Sequence, residues 1–226
     1  GKPVNTRKQV YAQGFALYGF SEYYRATGNE EALQLSKDFF HLIEKYAYDP
    51  DNEGYIEALQ SNWQPIQDMR LSEKDANEEK SMNTHLHILE PYTNLLRIWN
   101  DPAVETAQRR LIGNFTDHIV NPDTKHLILF FNRKWQSDYK IISYGHDIET
   151  AWLLYEAAEV LGNEQLLNDI KQLTIEIVEA SYEGLQEDGS MLYETNGQHT
   201  DKDRQWWVQA ETVAGSLYEK KTTGNK

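Results

Sequence analysis

The chain repeats one helical unit at a fixed interval, and this repeat limits the folds that it can adopt. The last two repeat intervals are both 62 residues, from 100 to 162 and from 162 to 224. Apolar residues at helical spacing flank each breaker, so the unit is a helix, a tight turn and a second helix. The breakers are Gly28-Asn29-Glu30, Asn100-Asp101-Pro102, Gly162-Asn163-Glu164 and Gly224-Asn225-Lys226. Helices are predicted at about 8–26, 30–46, 103–119 and 164–180, with further helices before the later breakers.

Longer segments connect the units and contain short strand-like runs at 55–59, 127–131 and 191–194. Repeats of about 60–70 residues built from helical hairpins are typical of solenoids and of closed α/α toroids. A toroid fits better, because its inner helices can bring charged residues to a central cavity. We therefore predict an all-α toroid of helical hairpins, with short β-hairpins in the connecting loops.

The helices predicted in this chain are too few to close such a toroid. The repeat accounts for about seven helices, whereas six hairpins require about twelve. We expect residues 1–226 to form a single (α/α)-barrel catalytic domain that is truncated at both ends. A piece of a longer protein is favoured over a ring that a partner chain completes.

The overall charge excludes several classes of partner. A net charge of −14 argues against nucleic acid or an anionic membrane, because both reward basic surfaces. The chain has no cysteine, which excludes disulfides, thiolate catalysis and cysteine-bound metals. No apolar run reaches the roughly 18–20 residues of a membrane span. An acidic chain of this kind is compatible with the cytoplasm.

Three titratable residues share one position in the repeat. His87, Glu149 and Glu211 follow one another at the interval of 62 residues, and Phe15 holds this position in the first copy. Titratable groups at one level of a helical array can line a shared cavity. A catalytic pocket is therefore the leading hypothesis.

His146 and Glu149 form the first candidate pair. Their i, i+3 spacing places both on one face of a helix. The helix dipole near its N-terminus disfavours the imidazolium, and a neutral imidazole is a competent general base. Glu149 would orient the ring or bind a substrate hydroxyl, although a surface His–Glu pair gives the same spacing.

Asn83 and His87 are spaced i, i+4 on one face of a buried helix. His85 lies on another face and is predicted to be structural, with a bond to a backbone carbonyl. His87, His146 and Glu149 could form a zinc or iron site across helices. No chelating motif occurs within one helix, however, and we predict no metal.

Aromatic and acidic residues supply the remaining candidates. Sugar rings stack on aromatic faces, so Trp63, Trp206 and Trp207 are either sugar platforms or core residues. Glu149 and Glu211 together also admit a glycosidase with paired carboxylates. The charged run at 73–80 is predicted to be a solvated loop.

Three ordered segments resemble the N-acylglucosamine 2-epimerase superfamily, and the first helix, at 11–18, is also similar. The segments are Asn83-Thr84-His85-Leu86-His87-Ile88-Leu89-Glu90, Ser143-Tyr144-Gly145-His146-Asp147-Ile148-Glu149 and Trp206-Trp207-Val208-Gln209-Ala210-Glu211. The resemblance covers essentially the whole chain and implies an (α/α)6 barrel. It also implies a cofactor-independent reaction at C2 of an aldose. Within the superfamily, the chain is most similar to the branch that acts on the reducing-end glucose of cellobiose-like β-1,4 disaccharides.

The resemblance also implies roles for individual residues. His146 would exchange the C2 proton with Glu149 as its partner, and Asn83 and His87 would stabilise the enediolate. Trp206 or Trp207 would stack on the sugar, while Trp63, Glu211 and Lys80 belong to matching segments without an assigned role. The superfamily's second catalytic histidine and its sugar-binding arginine match no residue of this chain, so we expect a polypeptide of these residues alone to be a poor or inactive catalyst. An aldose–ketose isomerase of the same superfamily, a glycoside hydrolase on an α/α toroid and a non-catalytic sugar-binding or scaffold fragment remain the alternatives.

Overall fold

The computed structural model describes residues 2–224, most of which are helical. A π-helical turn, Phe115–Ile119, continues the fourth helix, and a 3₁₀ turn, Tyr182–Gly184, follows the sixth. The α-helices within the described range are Val10–Thr27 (α1), Glu30–Tyr46 (α2), Met82–Ile98 (α3), Pro102–Asn114 (α4), Tyr144–Leu161 (α5), Glu164–Ser181 (α6) and Trp206–Thr223 (α7). The predicted helices are confirmed, except that α4 ends five residues earlier than expected and gives way to the π turn. Asn225 and Lys226 of the last predicted breaker lie outside the described residues.

The repeated Gly-Asn pair forms two helix caps in succession. Gly28 and Gly162 have left-handed φ angles of 69° and 65°, which glycine adopts without steric cost. Each ends its helix. Asn29 and Asn163 then accept a hydrogen bond from the backbone amide three residues later, at 3.1 and 2.9 Å. A side-chain oxygen at the N-cap accepts a hydrogen bond from an amide that lacks a partner within the helix. The second helix of the unit, α2 or α6, therefore begins there.

Short antiparallel strands connect the start and the end of each repeat. The strands are Lys8–Gln9 (β1), Ala58–Leu59 (β2), Lys80–Ser81 (β3), Phe130–Phe131 (β4), Ile142–Ser143 (β5), Glu194–Thr195 (β6) and Thr200–Asp201 (β7). They pair as β1 with β2, β3 with β4, and β5 with β6, which also pairs with β7. The strand before each of the helices α1, α3 and α5 therefore meets the segment that follows the next helix, α2, α4 or α6. The strand-like runs of the sequence are confirmed at their ends, whereas this pairing was not predicted.

The chain forms two compact units. The first contains residues 1–114 and 130–137, and the second contains 115–129 and 138–226. In the first unit α1 packs on α2 and α3, and α3 packs on α4. In the second unit α5 packs on α6 and α7. Each unit therefore has a helix-on-helix core, and the expectation of a single catalytic domain stays a prediction.

Lys80 is fully buried at the entrance to α3, so the prediction that the charged run at 73–80 is a solvated loop is wrong at its last residue. Its ammonium donates to the carbonyl oxygens of Glu53 and Arg133, at 2.5 and 2.7 Å, and lies 3.3 Å from the carboxylate of Asp49. Burial alone would raise the pKa of Asp49. Hydrogen bonds from Arg133 and Asn52 and the charge of Lys80 outweigh it and hold that pKa well below its usual value. These bonds fix β3, from which α3 begins.

Among the described residues, no helix combines the length and the apolar composition that crossing a bilayer requires.

Candidate active site

The repeat places four residues at the same position of four helices. In the first unit this register brings the rings of Phe15 and His87 together, with 4.8 Å between their centroids. In the second unit it places Glu149 and Glu211 on the neighbouring helices α5 and α7. The sixth residues of α1, α3, α5 and α7 are Phe15, His87, Glu149 and Glu211.

Aromatic side chains of α1 surround the imidazole of His87. Besides Phe15, Tyr11 contacts it edge-on with a centroid distance of 5.7 Å. The Nδ1 atom of His87 is buried, has no hydrogen-bond partner among residues 2–224 and lies 3.6 Å from the carboxylate of Glu90. Sequence reasoning did not single out Tyr11. Its position four residues before Phe15, on the same face of α1, is the signal that points to it.

Asn83 lies one helical turn before His87 and is partly exposed. Its carboxamide makes no hydrogen bond within the described residues, although it can both donate and accept. Its position is fixed through the N-cap Ser81, whose Oγ accepts from the amide of Thr84 at 3.0 Å and donates to Glu57 at 2.5 Å. Burial raises the pKa of Glu57, and the Ser81 hydrogen bond only partly opposes this rise. Asn83 and His87 therefore present polar groups on a firmly anchored helix.

His85 is a structural residue, as predicted. It is fully buried, and its Nδ1 lies 2.7 Å from the carbonyl oxygen of Ser81. Its Nε2 accepts a hydrogen bond from the amide of Tyr55 at 2.9 Å. One nitrogen must donate and the other must accept, which fits the neutral ring with its proton on Nδ1.

His146 is the centre of the candidate residues in the second unit. Its Nδ1 lies 2.8 Å from the hydroxyl oxygen of Ser143, and its ring centroid is 4.8 Å from that of Trp207. Tyr193 meets Trp207 edge-on at 6.1 Å. A Cβ at Gly145 would lie 2.8 Å from Trp207 ring atoms, so only glycine lets the indole approach the start of α5 this closely. Sequence reasoning gave roles to His146 and Trp207, but it quoted Ser143 only as part of a matching segment and did not name Tyr193.

The two adjacent tryptophans, Trp206 and Trp207, differ in their exposure to solvent. Trp206 is 80% exposed, whereas Trp207 is partly buried against His146. Glu211 accepts a hydrogen bond from the indole of Trp152 at 2.8 Å, which fixes its carboxylate beside α5. Glu149 is partly exposed and lies one turn after His146 on the same helix.

A buried ion pair anchors the first turn of α5. Asp147 is fully buried, and its carboxylate contacts His126 Nδ1 at 2.7 Å and accepts from the amide of Leu127 at 2.9 Å. His126 Nε2 also lies 3.4 Å from the exposed carboxylate of Glu183. Burial by itself lowers the pKa of His126, but the hydrogen bond and charge of Asp147, aided by Glu183, raise it overall. The pair therefore holds the residue next to His146.

Trp63 contacts Tyr46 and Lys8 of the first unit. Its ring stacks on Tyr46 with 4.8 Å between centroids, and the ammonium of Lys8 lies 4.6 Å from the ring centre. Its role as a sugar platform stays a prediction.

The described residues contain no cluster of three or more metal-ligating side chains. The first unit instead offers an amide and an imidazole among aromatic rings, at Asn83 and His87. The second offers an oriented imidazole, an indole and two carboxylates. Imidazoles transfer protons and indoles offer a flat apolar face, so the arrangement can supply acid–base chemistry beside a stacked ligand.

Residues 1–226 match the family model described as N-acylglucosamine 2-epimerase (GlcNAc 2-epimerase). The chain belongs to this family. It is 55% identical over 217 residues to a cellobiose 2-epimerase of Bacteroides fragilis, a match that covers 95% of the chain and 55% of that protein. A cellobiose 2-epimerase of Dictyoglomus turgidum is 40% identical, with 96% and 55% covered.

A solved structure shows the same fold. The cellobiose 2-epimerase of Bacillus thermoamylovorans B4167 superimposes with a TM-score of 0.94 and 38% identity, covering all of this chain and 58% of that one. The predicted fold class is thereby confirmed: the helices are those of an (α/α)6 barrel, and the chain contains an incomplete set of them. The chain spans little more than half the length of the relatives it matches.

Proposed function

We propose that this chain carries catalytic residues of a cofactor-independent sugar 2-epimerase. The substrate would be a cellobiose-like β-1,4 disaccharide, whose reducing-end glucose becomes mannose. One observation carries the proposal, namely the imidazole of His146, which Ser143 bonds at Nδ1 and Trp207 contacts at 4.8 Å. The 55% identity to a protein named cellobiose 2-epimerase supports this choice of substrate.

The proposed chemistry is a proton transfer at C2 of the ring-opened sugar. His146 Nε2 takes the C2 proton, and the electrons of the C–H bond move through C1 to the aldehyde oxygen, giving a cis-enediolate. Return of the proton from His146 restores the starting aldose, whereas inversion of C2 requires a proton from a second acid on the opposite face, a role that is assigned to no residue of this chain. A neutral imidazole is suited to this role because its proton affinity is matched to neutral pH.

The other candidate residues support this step in the proposal. Glu149 orients His146 or binds a sugar hydroxyl, Trp207 stacks on the sugar ring, and Glu211 and Trp206 make further substrate contacts. For the first unit, the family resemblance predicts that Asn83 and His87 donate hydrogen bonds to O1 and O2 of an enediolate, where negative charge develops. Trp63 stays a predicted sugar contact.

The proposal is tested by incubating the chain with cellobiose in deuterated water and following C2 of the reducing end by NMR. Deuterium at C2, even at a low rate, is the result that supports the proposal. Glucosyl-mannose carrying deuterium would show proton return on both faces, whereas labelled cellobiose alone would show a single base acting on one face. His146→Gln is expected to abolish the exchange, while the control His199→Gln, in an exposed turn, leaves it intact.

Two outcomes would contradict the proposal, and a third would narrow it. Glucose release would indicate a glycoside hydrolase, because an epimerase leaves the glycosidic bond intact. Glucosyl-fructose as the main product would indicate an aldose–ketose isomerase, in which the proton returns to C1. A folded chain without any C2 exchange would show that these residues alone are not an enzyme, since the superfamily's second catalytic histidine is not among them.

We further propose a small carbohydrate as the partner, neither nucleic acid nor membrane, and the cytoplasm as the location. The acidic, cysteine-free composition supports both statements. Cell fractionation that recovered the protein in a membrane or extracellular fraction would overturn the location.

A further inference from the structure

Ser143 occupies a capping position but does not cap its helix. It is the N-cap residue of α5, where a serine oxygen ordinarily accepts a hydrogen bond from an amide of the first turn. Ser81, the N-cap of α3, follows that rule and accepts from Thr84 at 3.0 Å. Ser143 makes no side-chain cap bond. The same residue type at the same place in the repeat thus has a different partner.

The partner of Ser143 is the imidazole of His146. The two side chains occupy the N-cap and N3 positions, the spacing at which capping boxes place a reciprocal polar pair. Their Oγ and Nδ1 atoms are 2.8 Å apart. Ser143 is fully buried and belongs to β5, opposite Glu194 of β6. Its hydroxyl is therefore held by a strand and not by a mobile loop.

The hydrogen bond that one imidazole nitrogen makes determines whether the other nitrogen carries a proton. A base that takes a proton at Nε2 must begin with its other proton at Nδ1. That Nδ1–H needs an acceptor, and it keeps the same acceptor when the ring becomes the imidazolium. A hydroxyl oxygen supplies this acceptor without adding a charge. Trp207 against the ring limits its rotation in addition.

We propose that Ser143 is a positioning residue that accepts a hydrogen bond from His146 Nδ1–H, which fixes the tautomer and ring orientation needed for proton transfer at Nε2. This inference rests on the proposed function for its catalytic meaning. The bond itself is independent of that function and is testable without sugar.

The test is ¹⁵N NMR of the histidine side chains in the labelled chain, with His146 assigned from the spectrum of His146→Gln. In the wild type, at a pH where the ring is neutral, Nδ1 is expected in the protonated range and Nε2 in the unprotonated range. In Ser143→Ala the hydrogen bond that favours one tautomer is lost. Both neutral tautomers are then populated, so the Nδ1 and Nε2 resonances should move towards each other. Ser143→Thr, which keeps the hydroxyl, should restore the wild-type pattern.

The matched control is Ser81→Ala, which removes a serine that does cap its helix. It should weaken α3 and leave the His146 resonances unchanged. A proton on Nε2 in the wild type would overturn the proposal, and so would a Ser143→Ala spectrum identical to the wild type. The wild-type spectrum decides by itself if Ser143→Ala fails to fold.

A second readout links the bond to catalysis. If C2 exchange occurs, Ser143→Ala should lower its maximal rate about 100-fold with little change in the sugar concentration at half saturation, since misplaced catalytic groups cost about this factor. An unchanged rate would overturn the positioning role. An intact tautomer in a chain that never exchanges C2 would count against the proposed function alone.

Discussion

At the scale of single residues, His126 and Asp147 form an ion pair with a defined pH dependence. Both are buried, and their contact is 2.7 Å long. The folded state raises the pKa of His126 above that of the unfolded chain, which is about 6.5. The native state therefore binds the proton more tightly. The stabilisation of the folded state by this pair is complete below about pH 6.5, and it is lost as the pH rises through the raised pKa of His126.

We predict that His126→Gln lowers the free energy of unfolding by about 2 kcal/mol at pH 6, the size of a buried hydrogen bond to a charged group. The difference from wild type should shrink as the pH is raised towards 9, because the wild type then loses its charged pair. Urea unfolding at several pH values measures both effects. Glu183→Gln is the control and should change little, since Glu183 is exposed and 3.4 Å away. A difference that is the same at every pH would show that the pair does not titrate.

At the scale of elements, α1 and α3 meet at a glycine. A Cβ at Gly14 would lie 2.2 Å from the backbone oxygen of His87. With any other residue at position 14, α1 could not approach α3 this closely. The contact sets the position of His87 relative to Tyr11 and Phe15. Gly19 lies in the same helix with nothing within 4 Å of the corresponding point.

Gly14→Ala and Gly19→Ala should therefore act in opposite directions. Gly14→Ala should destabilise the chain by about 2 kcal/mol, because a backbone oxygen cannot move aside as a side chain does. Gly19→Ala should stabilise it by about 0.5–1 kcal/mol through helix propensity. Thermal or urea unfolding of both variants measures the contrast. Equal shifts in the two would show that α1 and α3 tolerate a side chain at their contact.

At the scale of the whole molecule, a strongly acidic chain carries an exposed apolar stripe on α7. Trp206, Val213 and Leu217 are 80%, 62% and 61% exposed, and their spacing places them on one helix face. Contiguous apolar surface of this kind favours association. The net charge of −14 opposes it by repulsion between chains.

We predict that the chain self-associates when salt screens this repulsion. The Debye length falls from about 10 Å at 0.1 M salt to about 3 Å at 1 M. Light scattering should show larger particles at the higher salt concentration. The double variant Val213→Gln, Leu217→Gln should prevent the increase, whereas Leu71→Gln, at a separate 38% exposed residue, should not. Association of the double variant at the same salt concentration would assign the contact to another surface.

The features that depend on neighbours in sequence were predictable. The helices, their Gly-Asn caps and the shared sixth position of His87, Glu149 and Glu211 in their helices all follow from spacings within a repeat. The structural role of His85 and the face shared by His146 and Glu149 follow in the same way. Helical geometry relates each residue to those three and four positions away, so the sequence contains this information directly.

Tertiary structure alone decided the features that depend on distant partners. The pairing of β3 with β4, the burial of Lys80 and the difference between Trp206 and Trp207 all depend on segments far away in sequence. Ser143 shows the limit most clearly, because its sequence position is that of an ordinary cap and its hydroxyl bonds His146 instead. A hydroxyl can satisfy either partner, and only the folded geometry of β5, α5 and Trp207 determines which one it bonds.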